Sequence, residues 1–438
     1  MSYFGFSGGV HPEYKKDNTK SKPIEPLIIK KSDEVFVPLS QHIGAPCKPE
    51  VKKKDFVKRG QMIGSPTGFI SSAVHSPVTG EVLGIVRAPY PALGKVDSVH
   101  IKVTEETEDY DKIESNKSFQ DIVLSAGIVG LGGATFPTHV KLSPPKKIDY
   151  LIVNGAECEP YLTCDHMLML EHTEEILGGI LLVREHLGKD VRVIIGIEEN
   201  KMDAIEKFRQ LVDVNYDVEI VPLEVKYPQG GEKQLIKATT NRVVPEGKLP
   251  LEVGVVVQNV ATCYAIFEAV TYKKPLMERV VTVTGAVLNP KNLLVKIGTP
   301  VSKVIEECGG FLGKPKKIIS GGPMMGLAIS STDTPVTKGT SGIIIYREED
   351  VKDLKMTNCI RCGRCVAACP MGLLPVVMEQ FVINEMYERV IDFHVLNCIE
   401  CGCCSYVCPA RRHLVGYFKT AKRKVAKILK QRQTDAER

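Results

Sequence analysis

No stretch of this sequence reaches the roughly 18 consecutive apolar residues that a membrane-spanning helix needs. The longest candidate, residues 251–270, is interrupted by Glu252, Gln258, Asn259 and Glu268. A chain integral to a membrane is therefore not expected. An apolar core behind a basic N-terminal head is also missing, so no secretory leader is expected. Strong charge of one sign is absent: the formal net charge is +5 over 438 residues, too mild to imply nucleic acid by itself. No nucleic-acid-binding motif accompanies it, so no nucleic-acid partner is expected. Low-complexity stretches are lacking too. What remains, 43% apolar and 25% charged residues, is the make-up of an ordinary globular protein. The length suggests roughly two to four domains.

Cysteine is plentiful and unevenly placed. Of 14 cysteines, nine fall within residues 359–408. A secreted disulfide framework would be short and loop-rich, so metal-ligating thiolates in a reducing compartment fit better. "CIRCGRCVAACP" begins at Cys359 and "CIECGCCSYVCP" at Cys398, and both read C-x2-C-x2-C-x3-C-P. In this spacing three thiolates wrap one cubane and the fourth is carried to the neighbouring cluster. By that rule Cys359, Cys362, Cys365 and Cys408 hold one 4Fe–4S cluster, and Cys398, Cys401, Cys404 and Cys369 hold the other. Pro370 and Pro409 end the two runs and remove a backbone donor that would need a partner. The alternative is a pair of zinc sites of four thiolates each, but zinc ribbons use two C-x2-C pairs separated by a longer loop. Cys403 reads as a small buried filler, and Cys47, Cys158, Cys164, Cys263 and Cys308 as isolated buried thiols. Two clusters held this way form a wire for single electrons. Something else must supply or accept them.

Along the chain the pattern changes several times. Residues 1–112 read as a β-rich, sandwich-like domain of short strands and turns, with "EVFVPL" (34–39) and "SVHIKV" (98–103) as strands. "VHSPVTGEVLGI" (74–85) suggests a tight hairpin at Val78–Gly80, like that of biotinyl- and lipoyl-type domains but with no lysine at its tip. Residues 113–275 alternate apolar strands (150–154, 190–197, 217–223, 252–260) with helical segments (165–187, 201–212). That alternation predicts a parallel sheet covered on both faces. Residues 276–345 read as strand, turn, strand and amphipathic helix, then the glycine-rich "ISGGPMMG" (319–326). Residues 346–415 carry the cysteines on short helices, and residues 416–438 form a basic tail.

Two loops of the α/β segment bear chemistry. "GIVGLGGATFPTHVKL" (127–142) holds Gly127, Gly130, Gly132 and Gly133. Such glycines let backbone N–H groups approach a phosphate or a ring. It is neither a G-x-G-x-x-G placed directly after a strand nor a P-loop, so alone it could be a plain turn. "NGAECEPYLTCDH" (154–166) puts Glu157 and Glu159 at the C-terminal end of a strand, where ligands bind in open α/β sheets. Two solvated glutamates are the plain alternative.

"GLGGATFPTHVKL" followed by "NGAECEP" resembles the glycine and acidic loops of the flavin- and NADH-binding subunit of respiratory complex I. With the β-rich start, "FGFSGGVHPEYKK" (4–16), "SGGPMMG" (320–326) and the twin cysteine motif, the whole chain resembles the C-subunit family of Rnf complexes. Those are membrane-bound ferredoxin:NAD+ oxidoreductases that pump Na+ or H+. The resemblance implies a barrel-sandwich-like N-terminal domain, a Rossmann-like α/β domain for FMN and NADH, an SLBB (soluble-ligand-binding β-grasp) module and a ferredoxin-like helical domain. It implies that Gly130, Gly132 and Gly133 line non-covalently bound FMN, that Lys141 lies near its phosphate, and that Asn154 and Glu157 contact the flavin. Phe136 and Glu159 would stack on and bind NAD(H). Glu232 of "GGEKQL" (230–235), with Gln258, Asn259 and Thr262, would complete the cofactor site. Leu131 stands where that subunit of complex I has an arginine, and Ala156 where it has an aspartate, which alters the charge around the flavin.

The implied function is electron transfer between NAD(H), FMN and two 4Fe–4S clusters, with no side chain doing acid–base work. The implied place is peripheral, on the cytoplasmic face of a bacterial membrane, beside membrane subunits and a ferredoxin-reactive iron–sulfur subunit. The tail (411–432) carries an apolar stripe of Leu414, Tyr417, Phe418, Ala421, Val425, Ile428 and Leu429 with basic residues opposite. It could dock on lipid, on a partner or on its own protein. Competing readings are a soluble cobalamin reductase of the same build and a non-catalytic scaffold that binds a ligand or partner.

Overall fold

The computed structural model describes residues 5–91, 94–114, 117–212, 217–351 and 355–436; Phe4, which opens the first motif, lies outside them. Two compact units are each assembled from separate stretches of chain: Tyr14–Pro222 with Gly254–Val351, and Met1–Glu13 with Leu223–Val253 and Lys352–Arg438.

The first unit contains a barrel-sandwich part, an α/β part and a β-grasp part. Strands Glu34–Pro38 and Gly94–Glu105 pair antiparallel with Phe36 opposite His100, and Thr79–Tyr90 pairs along Gly94–Glu105. The tight hairpin expected at Val78–Gly80 is not one. Gly80 lies inside the long strand, and a Cβ there would come within 2.2 Å of the Lys102 carbonyl oxygen. Glycine is needed for close strand approach, a use that sequence cannot tell from a turn.

Apolar residues of the barrel and the β-grasp part fill one common core, in which Val35, Val37 and Ile101 join Val281, Leu293 and Ile345. Ile24–Pro26 even pairs in parallel with the β-grasp strand Lys291–Lys296. These two sequence segments therefore bury their apolar faces against each other. The six-stranded sheet they share also contains Glu278–Gly285, Gly342–Arg347, Pro315–Ser320 and Leu327–Ile329.

The α/β part is a four-stranded sheet in the order Val218–Leu223, Arg192–Glu198, Tyr150–Asn154, Val255–Asn259. Tyr150–Asn154 runs parallel to both of its neighbours, and its residues 151–153 are fully buried, as expected of a strand covered on both faces. The segment 165–187 forms two helices, Cys164–Glu171 and Thr173–Leu187, broken at His172. The chain leaves the central strand to one side for two strands and returns on the other. The gap between Tyr150–Asn154 and Val255–Asn259 is thus the sheet's topological switch point.

The second unit is mostly helical. Helices Pro375–Ile383, Tyr387–Asp392 and Leu414–Ala436 pack around Met378, Val382, Val390, Leu414, Phe418, Ala421 and Val425. The apolar stripe of the tail therefore faces its own protein. Residues 223–253 belong to this unit and contribute the helix Glu232–Thr240.

Candidate functional site

At the switch point, Asn154 and Asn259 end their strands side by side in register. The glycine loop is fastened to this edge. Gly130 N–H donates to the Phe136 carbonyl (2.9 Å), closing the loop on itself, and Leu131 N–H donates to the Thr262 hydroxyl (3.0 Å). Thr262 belongs to the helix Val260–Phe267, which Asn259 caps by accepting from Ala261 N–H (2.9 Å). Gly132 lies directly on Asn259: a Cβ there would come within 2.7 Å of Asn259 Nδ2. Around Gly133 a Cβ would meet nothing within 4 Å. Lys141 Nζ donates to the Val257 carbonyl at 3.3 Å, tying the short helix Thr138–Lys141 to the same strand.

The acidic loop lies against the other side of this edge. Glu157 Oε1 accepts from Asp165 N–H (2.7 Å) and Oε2 from His166 N–H (3.3 Å), which holds the start of helix Cys164–Glu171. Two buried lysines sit beneath it. Lys16 Nζ donates to the Glu157 carbonyl at 2.5 Å, and Lys201 Nζ to the Ala156 carbonyl at 2.7 Å. Burial, aided by the Lys201 charge, pushes the Lys16 ammonium down to about 8. Asp165, buried near Glu157, is pushed up to about 6, and its Oδ2 accepts from Asn259 Nδ2 at 2.7 Å. Glu159 turns away to the β-grasp part, its two oxygens accepting from Met324 N–H (2.9 Å) and Met325 N–H (2.8 Å). Burial outweighs those donors and raises its carboxyl to about 7.

Gly130, Gly132, Gly133, Phe136, Lys141, Asn154, Glu157, Gln258, Asn259 and Thr262 thus gather on one sheet edge or on the loop it anchors. Glu232 does not belong to this group of elements; it opens the helix Glu232–Thr240 of the other unit. Three polar residues here carry no functional signal of their own in the sequence: Lys16, Asp165 and Arg279, whose Nη2 donates to the Leu131 carbonyl. The first two lie in motifs already singled out, but nothing local marks Arg279. Two features fit a bound flavin nucleotide. The backbone at Gly133 borders open space, and Gln258 Nε2 is buried without a hydrogen-bond partner.

In the helical unit several of the motif cysteines lie close enough to feel one another's charge. Cys369 interacts electrostatically with Cys398 and Cys404, and Cys365 with Cys408. A cavity is lined by Cys369, Cys398, Cys401, Cys403 and Cys404. Burial pushes the Cys398 thiol up to about 11. Among the described residues, the only three Cys, His or carboxylate ligand atoms within 4.8 Å of one another are those of Glu157, Cys164 and Asp165. Tetrahedral zinc with bonds of ~2.3 Å would draw its thiolates to about 3.8 Å of one another. Among the described residues no three motif cysteines come that close together. Cys403 is fully buried, and its thiol points to the Tyr227 carbonyl at 3.9 Å. Tyr227 in turn donates its hydroxyl to the Cys401 carbonyl (2.7 Å), and Gly9 N–H donates to the Ala368 carbonyl (3.0 Å). The N-terminal residues and the 223–253 segment therefore brace the ligand loops. Lys422 Nζ donates to the Cys398 carbonyl at 2.9 Å from the C-terminal helix.

Comparison with known proteins finds four family models along the chain. Family models match an RnfC barrel sandwich hybrid domain at residues 4–106, a Nuo51 FMN-binding domain at 123–268, an SLBB domain at 280–328 and a 4Fe-4S dicluster domain at 358–411. Among curated relatives, the C-subunit of the proton-translocating ferredoxin:NAD(+) oxidoreductase complex of Clostridium ljungdahlii is 46% identical over 394 residues, covering 87% of this chain and 85% of that one. Its counterpart in the Na(+)-translocating complex of Acetobacterium woodii is 45% identical over 431 residues, 96% of this chain and 97% of that one. The counterpart in an ion-translocating oxidoreductase complex of Rhodobacter capsulatus is 41% identical over 394 residues, 86% of this chain and 74% of that one.

Proposed function

The chain belongs to the C-subunit family of ion-translocating ferredoxin:NAD(+) oxidoreductase complexes, and from that premise we propose that it exchanges electrons between NAD(H) and the rest of such a complex. The observation that carries this reading is the union, in one chain, of a flavin-type site at a sheet switch point and eight cysteines in the interleaved two-cluster pattern. FMN, when bound, converts the two-electron chemistry of nicotinamide into the one-electron chemistry of iron–sulfur clusters.

The work of this chain's own residues is positioning. Gly130, Gly132 and Gly133 keep side chains out of the space where the flavin lies. Asn154, Gln258 and Asn259 present amide groups at the strand ends, with Thr262 fixing the loop and Lys141 placed for the phosphate. Phe136 and Glu159 serve the nucleotide side and Glu157 the flavin side. Cys359, Cys362, Cys365 and Cys408 hold one cluster, and Cys398, Cys401, Cys404 and Cys369 the other. Among the described residues no helix is long and apolar enough to cross a membrane. The protein is read as peripheral, on the cytoplasmic face, bound to integral subunits and to a ferredoxin-reactive iron–sulfur subunit.

Anaerobic purification with iron, sulfide and flavin analysis tests the reading. Two four-iron clusters require eight irons, together with one FMN. Cys369→Ala is expected to lose one cluster, and Cys403→Ala to keep both. A chain that holds zinc, binds no FMN, or stays apart from membrane subunits while reducing cobalamin would contradict it.

A further inference from the structure

Arg279 is 4% exposed, on the strand Glu278–Gly285 of the β-grasp part. Its Nη2 donates to the Leu131 carbonyl inside the glycine loop (2.5 Å), and its Nη1 donates to the Lys338 carbonyl. Its Nε is buried with no partner. Among the described residues no carboxylate lies within ion-pair distance of it. The adjacent Glu278 points to the opposite face of the strand and is engaged by Arg59 (2.7 Å) and Lys274 (3.0 Å). Asp165, the carboxylate whose charge reaches the guanidinium, is committed to Asn259 Nδ2.

A buried cation with no carboxylate in contact is unfavourable unless further negative charge completes the site. The glycine loop, residues 127–136, contains no charged side chain of its own. We propose that Arg279 is a buried cation of the flavin site: it fixes the glycine loop through Leu131 and stabilises the negative charge that bound FMN gains on reduction. This rests on the flavin reading of the switch-point site. The planar fork of arginine suits the task, since it reaches two carbonyls at once and keeps its charge when desolvated. Asp165, held one hydrogen bond from Gly132's neighbour Asn259, opposes it. The β-grasp part, on this account, lends the flavin site a charge that the glycine loop itself lacks.

The test uses the full chain, with FMN Kd measured by fluorescence quenching and the flavin midpoint potential by anaerobic spectroelectrochemical titration. Arg279→Met is expected to weaken FMN binding about tenfold and to lower the potential. Arg279→Lys is expected to hold a potential near that of the wild type while binding FMN more weakly, since an ammonium cannot span both carbonyls. Asp165→Asn is expected to raise the potential. A purely structural role for Arg279 would weaken binding without these opposite shifts. The proposal is overturned if Arg279→Met keeps the wild-type potential, if Arg279→Lys falls as far as Arg279→Met, or if Asp165→Asn shifts in the same direction as Arg279→Met. If Arg279→Met does not fold, a wild-type FMN Kd in Arg279→Lys or an unchanged potential in Asp165→Asn is equally decisive. A wild-type chain that binds no FMN defeats the flavin reading itself, before any variant is compared.

Discussion

Gly132 and Gly133 are adjacent, yet the chain needs them for different reasons. Gly132 is required by the protein, since a side chain there would displace Asn259. A Cβ on Gly133 would meet no protein atom within 4 Å, so packing inside the chain gives no reason for glycine at that position. Gly133→Ala is expected to leave unfolding free energy within about 0.5 kcal/mol while weakening FMN about tenfold; chemical denaturation and fluorescence quenching check the two halves separately. Glu159 offers a pH test. Burial raises its carboxyl from 4.5 to about 7, so the folded chain holds a proton that the unfolded chain has released. The stability this contributes is complete below about pH 4.5 and is lost as pH rises through about 7. Glu159→Gln, a fixed neutral side chain, is expected to flatten that part of the profile, as read by unfolding at a series of pH values across this window. A profile identical to the wild type would mean that Glu159 is ionised throughout.

Among the elements, the helix Leu414–Ala436 does more than its basic composition suggests. Phe418, 1% exposed, is a central piece of the core under the cysteine loops. Phe418→Ala is expected to cost about 3–5 kcal/mol, a large share of the stability of a domain this small. Iron content should fall while FMN binding, which belongs to the other unit, persists. Loss of both at once would mean that the two units do not fold independently. The α/β strands were legible because continuous apolar runs of strand length have few alternatives: residues 150–154 were expected as a strand, and Tyr150–Asn154 is one. The Val78–Gly80 hairpin was misread because Pro and Gly mark both a turn and a close strand contact. Gly80 serves the second purpose, against Lys102.

Across the whole molecule, motifs spaced along the chain were readable and returns of the chain were not. The two cysteine runs announce their ligand pattern by spacing alone, and the glycine and acidic loops announce a site at one sheet edge. Nothing local says that residues 223–253 leave the α/β part to brace the cysteine loops through Tyr227, or that Arg279 reaches Leu131 from a different part of the fold. Those contacts depend on tertiary packing rather than on periodicity. The central claim is that this single chain conducts electrons between its clusters and nicotinamide. The direct measurement is to load the purified chain with FMN and both clusters, reduce it anaerobically, remove the reductant and add NAD+. The expected result is that the visible absorbance of the oxidised clusters returns as the near-ultraviolet absorbance of NADH grows, and only when FMN is bound. Clusters that stay reduced beside NAD+ and bound FMN would contradict it.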